Sequence, residues 1–375
     1  MKRRLGIYIH IPFCVRKCEY CDFLSAPAGR ETREQYVKML KKEITEAEEL
    51  AERFEAATVF FGGGTPSLLS AGEFSEIMDT LYTRFSILPD AEITVECNPG
   101  TLTREKLSAY RASGVIRLSI GLQSADDREL KLLGRIHTWK EFQESFDLAR
   151  NAGFDNLNID LISALPGQTR KTWMNTLSQT AALNPEHISA YSLIVEEGTP
   201  FYRQYAEGGP LRHLLPDEEM ERQMYEDTKL FLQERGYERY EISNYARPGY
   251  ACRHNLSYWE RIDYKGFGLG AASLVDEVRY QNSTDLTAYL RGDFSFESRE
   301  KLGKKDRLEE TMFLGLRKME GVTLTEELRS VYGETFESLK KKGLLKEEEG
   351  RIRLTDRGID ISNYVFSEFL LDEEN

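Results

Sequence analysis

Strand-like runs alternate with helical stretches through about the first 200 residues, and this alternation constrains the fold more than any other feature. The runs are Leu5–Ile11, Thr58–Phe61, Glu92–Cys97, Arg117–Leu122, Asn156–Ile162 and His187–Val195. Helical periodicity fills about 31–52, 70–84, 103–112, 138–152 and 170–182. Strands joined by single helices need crossover connections, and such crossovers are right-handed and leave neighbouring strands parallel. The fold class is therefore α/β. Six such units fit an incomplete barrel of the TIM type or an open doubly wound sheet, and periodicity does not choose between them.

After the sixth run the texture changes. Gly198-Thr-Pro200 and Gly208-Gly-Pro210 mark turns, and a helix over about 217–235 stops at Gly236. Residues 240–290 are rich in Tyr, Gly and Asn and read as strands and loops. From about 301 come charged helices, a break at Gly343, short strands at Leu344–Lys346 and Arg351–Leu354, and a last helix from about 355. That pattern predicts a winged-helix-like α+β module. The expected segments are a core over 1–235, an extension over 236–300 and a C-terminal module over 301–375.

Net charge is −13, and residues 301–375 hold 14 Lys and Arg against 17 Asp and Glu. Phosphate binding needs a basic face, so no nucleic-acid partner is expected and the module reads as structural or partner-docking. The run Lys340-Lys-Lys342 reads as a solvated helix end beside the acids at 347–349. No apolar run reaches the roughly 18 residues needed to cross a bilayer. Met1-Lys-Arg-Arg4 runs directly into a strand pattern rather than a targeting signal. The expected compartment is the reducing cytoplasm, which suits free thiolates.

Of five cysteines, three fall in Cys14-Val-Arg-Lys-Cys18-Glu-Tyr-Cys21. The spacing supplies three thiolates and stops. A four-iron cluster needs four ligands, so three leave one iron open for chemistry. A structural zinc site wants four ligands and is closed. His10 could be the fourth, but it sits inside a strand pattern. A disulfide would pair two cysteines and strand the third. An iron–sulfur cluster is the leading reading, with zinc its main competitor.

Ligands of parallel α/β folds gather at the C-terminal ends of strands. There the chain places Gly62-Gly63-Gly64-Thr65-Pro66, Glu96, Gln123 and Asp160, with Arg135 following in Leu133-Gly-Arg-Ile-His137. Three glycines let backbone approach a ligand closely and expose N–H and C=O groups to an amino-acid-like cofactor. An ordinary tight turn is the alternative. Each polar residue taken singly reads as readily as scaffold; together they put polar groups around one mouth. Cys97 reads as a small buried hydrophobe. Cys252 precedes Arg253-His254-Asn-Leu-Ser-Tyr258-Trp259, a histidine among aromatics in a loop. It could stack on or ligate a flat aromatic or porphyrin; a satisfied core histidine is the alternative. With only five histidines, each needs a role or a dismissal.

The run Tyr8-Ile-His-Ile-Pro-Phe-Cys14-x3-Cys18-x-Tyr20-Cys21 resembles the opening of the radical S-adenosylmethionine superfamily, in its oxygen-independent coproporphyrinogen oxidase-like branch. The likeness continues through Gly62–Pro66, Glu96–Pro99, Leu118–Gln123, Gly134–His137, Asp160–Ile162, Leu165–Thr169, Gly198–Pro200, Glu241–Tyr245 and His254–Trp259. It implies a partial (β/α)6 barrel with a 4Fe–4S cluster on Cys14, Cys18 and Cys21. S-adenosylmethionine would chelate the open iron, and one-electron reduction would release a 5′-deoxyadenosyl radical. By the same resemblance, cofactor contacts fall at Tyr8, Tyr20, Gly63, Gly64, Thr65, Glu96, Gln123, Arg135 and Asp160. In the oxidase, some of these belong to a second S-adenosylmethionine.

The branch holds an oxidase and a heme chaperone. The oxidase motif carries a fourth cysteine where this chain has Phe23, and a long arm before the cluster loop. His254-Asn-x2-Tyr-Trp259 is similar to the chaperone's heme-associated signature. The expectation is a heme chaperone with heme as cargo and His254 as first candidate for heme contact. Its partners would be an electron donor for the cluster and a heme acceptor, a membrane-associated respiratory protein being one class. The alternative is an oxygen-independent coproporphyrinogen III dehydrogenase that decarboxylates propionates. Ser163-Ala164 and Ala125 depart from the branch pattern at the cavity wall.

Overall fold

The computed structural model describes residues 2–371. Six strands pair in parallel in chain order: β1 (Arg3–Ile11), β2 (Phe54–Gly63), β3 (Ser86–Cys97), β4 (Arg117–Gln123), β5 (Leu157–Ser163) and β6 (His187–Ser192). The pleat explains their composition. Leu5, Ile7, Ile9 and Ile11 of β1 are all fully buried in the main core, as are Tyr36, Leu40 and Ile44 of helix Arg30–Glu46. The intervening positions face the other way, and there the strands carry Tyr8, His10, Thr58, Glu92, Glu96, Ser119, Asn158, Asp160 and His187. Helix Ala71–Arg84 follows the same logic, burying Phe74, Ile77, Met78 and Leu81 at helical spacing behind a Ser70/Glu73 capping box.

The sheet is open, not a closed barrel. It runs through twelve strands, with β7 (Glu238–Arg239) and β8 (Asn244–Ala246) beyond β6. On the β1 side lie β9 (Tyr264–Phe267), β10 (Ala272–Val275), β11 (Val278–Asn282) and β12 (Phe296–Lys301). β9 is parallel to β1, and the remaining additions are antiparallel. Residues 308–369 form a second hydrophobic core around helices Lys304–Gly315 and Glu326–Lys341. Its small sheet has three strands, β13 (Val322–Thr323) pairing with the hairpin of β14 (Leu345–Glu348) and β15 (Arg351–Leu354). Lys340 pairs with Glu337 and Glu347, as a solvated helix end does.

Several local expectations need correction. Helix 31–52 is two helices, Arg30–Glu46 and Glu48–Arg53, meeting at Ala47. The last helix is likewise two, Asp356–Asp360 and Ser362–Ser367. The expected loop around His254 is a helix, Arg253–Trp259. Its N-terminal N–H groups are satisfied by the Glu92 carboxylate of β3, which accepts from Arg253 N at 3.0 Å and His254 N at 3.0 Å. A cap delivered from a distant strand leaves no local signature.

Glu43 ties the β9–β12 extension to helix Arg30–Glu46. It is buried and accepts from Gly268 N at 2.9 Å, Asn282 Nδ2 at 2.8 Å and Tyr289 Oη at 2.7 Å. Removing it strands three buried donors and the Lys265 ammonium, 3.9 Å away. Glu43→Ala is expected to cost about 3 kcal/mol or more of unfolding free energy in urea denaturation. A loss under about 1 kcal/mol would contradict this bonding scheme.

Candidate functional site

The cysteine loop leaves the C-terminal end of β1 and closes on itself. Ala26 N donates to Pro12 O at 3.0 Å and Cys14 N to Ala26 O at 3.3 Å. Cys21 N donates to Cys18 O at 3.3 Å, closing a turn between the last two cysteines. Two further bonds anchor the loop from outside: Glu19 N to Leu133 O, and Phe201 N to Glu19 O, both 3.0 Å. All five cysteines are free. Burial pushes the thiols of Cys14 and Cys21 up, so binding metal there would release protons.

Three thiols on one loop suit a four-iron cluster, in which each thiolate holds a different iron, whereas a structural zinc ion needs four ligands around one point. His10 has no nitrogen to spare. Its Nδ1 lies 3.1 Å from Tyr8 Oη and its Nε2 lies 2.9 Å from Leu24 O.

The glycine turn is filled by the protein itself. A Cβ on Gly63 would lie 2.5 Å from His10, and one on Gly64 would lie 2.6 Å from the Phe13 carbonyl. Gly63 N donates to Glu96 at 3.1 Å and Gly64 N to Ile11 O at 2.9 Å. The N–H groups expected to face a ligand are therefore engaged, and the glycines instead let β2 close on the cysteine loop. Thr65 is buried, and its hydroxyl accepts from Asn98 Nδ2 at 2.8 Å.

From Asn98 a polar chain runs to the cysteines. Arg135 Nη2 donates to Asn98 Oδ1 and to Gly121 O, both at 2.8 Å, and Nη1 reaches Cys18 Sγ at 3.8 Å. Arg135 Nε is buried with no partner among the described residues. Gln123 ends β4 with φ +73°, at a register shift between Gly121 and Gln123. That conformation is strained for a non-glycine residue and marks a constrained position. A Cβ on Gly121 would meet Gln123 Nε2 at 2.9 Å and both Arg135 and Asn98 at 3.3 Å. Asn98 and Gly121 thus belong to the site, though sequence reasoning passed over them; the Asn-Pro after a strand end was the available signal.

Glu96 and Asp160 sit half-buried on the polar face. Asp160 accepts from Ser119 Oγ at 3.0 Å and Asn158 Nδ2 at 2.8 Å. Burial raises its pKa, opposed first by those two bonds. Burial and the neighbouring Asp160 push the Glu96 carboxyl up to about 8, against the Gly63 N–H. Tyr20, half-buried, meets Phe201 edge-on at 6.4 Å. Tyr8, Tyr20, Thr65, Glu96, Gln123, Arg135 and Asp160 therefore all stand on β1–β5 or the loops that follow their C-terminal ends.

His254 is elsewhere. It is 1% exposed, stacked on Phe60 at 5.0 Å, with Nδ1 2.7 Å from Thr58 Oγ1 and Nε2 3.0 Å from Tyr258 Oη. Burial, then the Arg117 charge, lowers its pKa to about 3. In this packing neither nitrogen is open to a ligand.

The Glu96 shift has a measurable consequence. Because its pKa is raised on folding, its contribution is intact below the ordinary value of 4.5 and is lost as pH rises through about 8. Unfolding free energy of the metal-free protein should fall with rising pH across that window, less steeply in Glu96→Gln. Equal slopes in urea denaturation would refute the assignment.

A family model of the radical SAM superfamily matches residues 8–179, and one of the HemN C-terminal domain matches residues 302–361. The heme chaperone HemW of Lactococcus lactis is 36% identical, over 98% of this chain and 98% of its own length. That of Bacillus subtilis is 36% identical, over 97% and 98%. That of Escherichia coli is 41% identical, over 72% and 70%. Among solved structures, coproporphyrinogen III oxidase HemN from Escherichia coli superposes with a TM-score of 0.83, covering 98% of this chain and 90% of that one. At 24% identity that likeness is one of fold. With relatives matching it from end to end, the chain belongs to the radical SAM superfamily, in the HemW family.

Proposed function

We propose that this protein is a heme chaperone. It carries a 4Fe–4S cluster on Cys14, Cys18 and Cys21, binds S-adenosylmethionine beside it, and takes heme as cargo for an acceptor protein. The observation that carries this reading is the end-to-end match to relatives named heme chaperones. The three-thiol loop backed by Arg135 supports it.

Cys14, Cys18 and Cys21 would hold the cluster, which would supply one-electron chemistry to S-adenosylmethionine bound beside it. The residues around it hold and orient. Arg135 fixes the Cys18 side of the loop while braced by Asn98 and Gly121. Glu96 and Asp160 offer carboxyl groups to ribose hydroxyls or an ammonium, and a cationic group there would draw the Glu96 proton off. Tyr8, Tyr20, Thr65 and Gln123 complete the proposed cofactor contacts, and Gly63 and Gly64 contribute close backbone approach rather than N–H donors.

No helix among the described residues is long and apolar enough to cross a membrane. We take the working compartment as the cytoplasm, with an electron donor for the cluster and a heme-acceptor protein as partners. Residues 301–375 are the proposed docking module; their excess of acidic over basic residues suits a partner other than nucleic acid.

Heme titration tests the reading. Full-length protein should take up hemin with a defined Soret band, and absence of uptake would refute it. Anaerobic incubation of reconstituted protein with coproporphyrinogen III, S-adenosylmethionine and reductant should yield no protoporphyrinogen. Formation of protoporphyrinogen would establish the oxidase instead. Serine at Cys14, Cys18 or Cys21 should abolish the iron–sulfur absorbance of the reconstituted protein.

A further inference from the structure

Charged groups tie the helix Arg253–Trp259 at both ends. At the N-terminus the tie is Glu92 of β3, which also accepts from Cys252 Sγ at 3.4 Å. At the C-terminus the ties come from the C-terminal module. Arg261, two residues past the helix, donates through Nε to Glu310 Oε2 and through Nη2 to Glu277 Oε2, both at 2.7 Å. Arg279 Nη2 donates to Glu310 Oε1 at 2.6 Å. Lys318 Nζ donates to Glu260 at 2.9 Å, and the Arg317 guanidinium lies 4.5 Å from the centre of the Trp259 ring. Glu310, Arg317 and Lys318 all fall within the residues matched by the HemN C-terminal domain.

These polar ties carry most of what holds the helix. Of its seven residues only His254 and Ser257 are buried, so little apolar area fixes it in place. Elements with few buried apolar contacts are the ones that open locally. The Arg261 and Glu310 side chains are 9% and 6% exposed, and a buried ion pair specifies one geometry strongly while adding little net stability over an apolar contact. Arg261 also carries φ +52°, a left-handed backbone that costs a non-glycine residue and that the surrounding bonds must maintain.

What the helix keeps shut is the ring of His254. Nδ1 is held by Thr58 of β2 and Nε2 by Tyr258 of the same helix, which itself packs edge-on against Tyr264 of β9 at 4.6 Å. A neutral imidazole nitrogen is a standard axial ligand of heme iron, but one of these bonds has to break first. Moving the helix away from β2 would part Nδ1 from Thr58 and the ring from Phe60 together.

We propose that the C-terminal module clasps the helix Arg253–Trp259, with Glu310 and Lys318 as positioning residues, and that opening the clasp frees His254 to ligate heme iron. The proposal rests on the heme-chaperone reading and keeps His254 as the contact residue. The structure is then the closed state, and apparent heme affinity is reduced to the extent that the clasp is closed.

Hydrogen exchange and hemin titration of full-length wild type, Glu310→Gln and Lys318→Met test this. Arg261 retains Glu277 in the first variant. The second leaves behind Glu260 and Glu320, which are 41% and 57% exposed, so it strands no buried charge. Without hemin, both variants should exchange the amides of 253–259 at least about fivefold faster than wild type, and both should bind hemin about fivefold more tightly or better. The gain in affinity should vanish when His254→Gln is added. Glu43→Ala, which destabilises the fold outside the clasp, should not tighten hemin binding. A merely structural role predicts the opposite sign, with weaker binding in all three. If wild type binds hemin and the folded clasp variants bind no tighter, or exchange no faster, the clasp is overturned while the chaperone reading stands. A gain that survives His254→Gln would overturn the link to His254. Absence of uptake by every variant and by wild type would remove the heme reading, and equal exchange rates would then remove the clasp as well.

Discussion

The two-faced pleat of the six parallel strands is the constraint on which the rest depends. Side chains alternate, so a strand covered by helices on one face must be apolar at every second position and is free to be polar between. β1 obeys this with Leu5, Ile7, Ile9 and Ile11 on one face and Tyr8 and His10 on the other. A slip of one residue would exchange the faces, so the pattern also fixes register. The polar face then has to satisfy itself. Asn158 bonds Ser119 at 2.7 Å, Asp160 at 2.8 Å and His187 at 2.5 Å. Buried polar groups without such partners would cost about 1–3 kcal/mol each, which is why this face reads as a network.

At the C-terminal ends of the strands that network opens toward the cysteine loop. Thr65, Asn98, Arg135 and Cys18 form one chain of contacts joining the ends of β2, β3 and β4 to a thiol. The same loop is bonded through Glu19 to Leu133 on one side and Phe201 on the other.

The strands, the cysteine site and the polar set at the strand ends were legible because each is written locally, in alternation, spacing or position after a strand. What was not legible depends on distant partners. The Arg253–Trp259 helix is capped by Glu92, and His254 is buried by Phe60, Thr58 and Tyr258. A histidine between aromatics looks the same in sequence whether it faces a ligand or a core. The three glycines signalled close approach correctly, but the approaching groups are His10 and Phe13. Asn98 and Gly121 acquire their importance only when Arg135 folds back onto them from the next loop.

In the proposed site, Cys14, Cys18 and Cys21 hold a cluster whose fourth iron is open toward the polar set. Electron paramagnetic resonance of the reduced, reconstituted protein tests it directly. Adding S-adenosylmethionine should change the cluster signal, because the open iron would gain nitrogen and oxygen ligands. A signal unchanged by saturating S-adenosylmethionine would mean that the fourth position is closed, and would contradict the account.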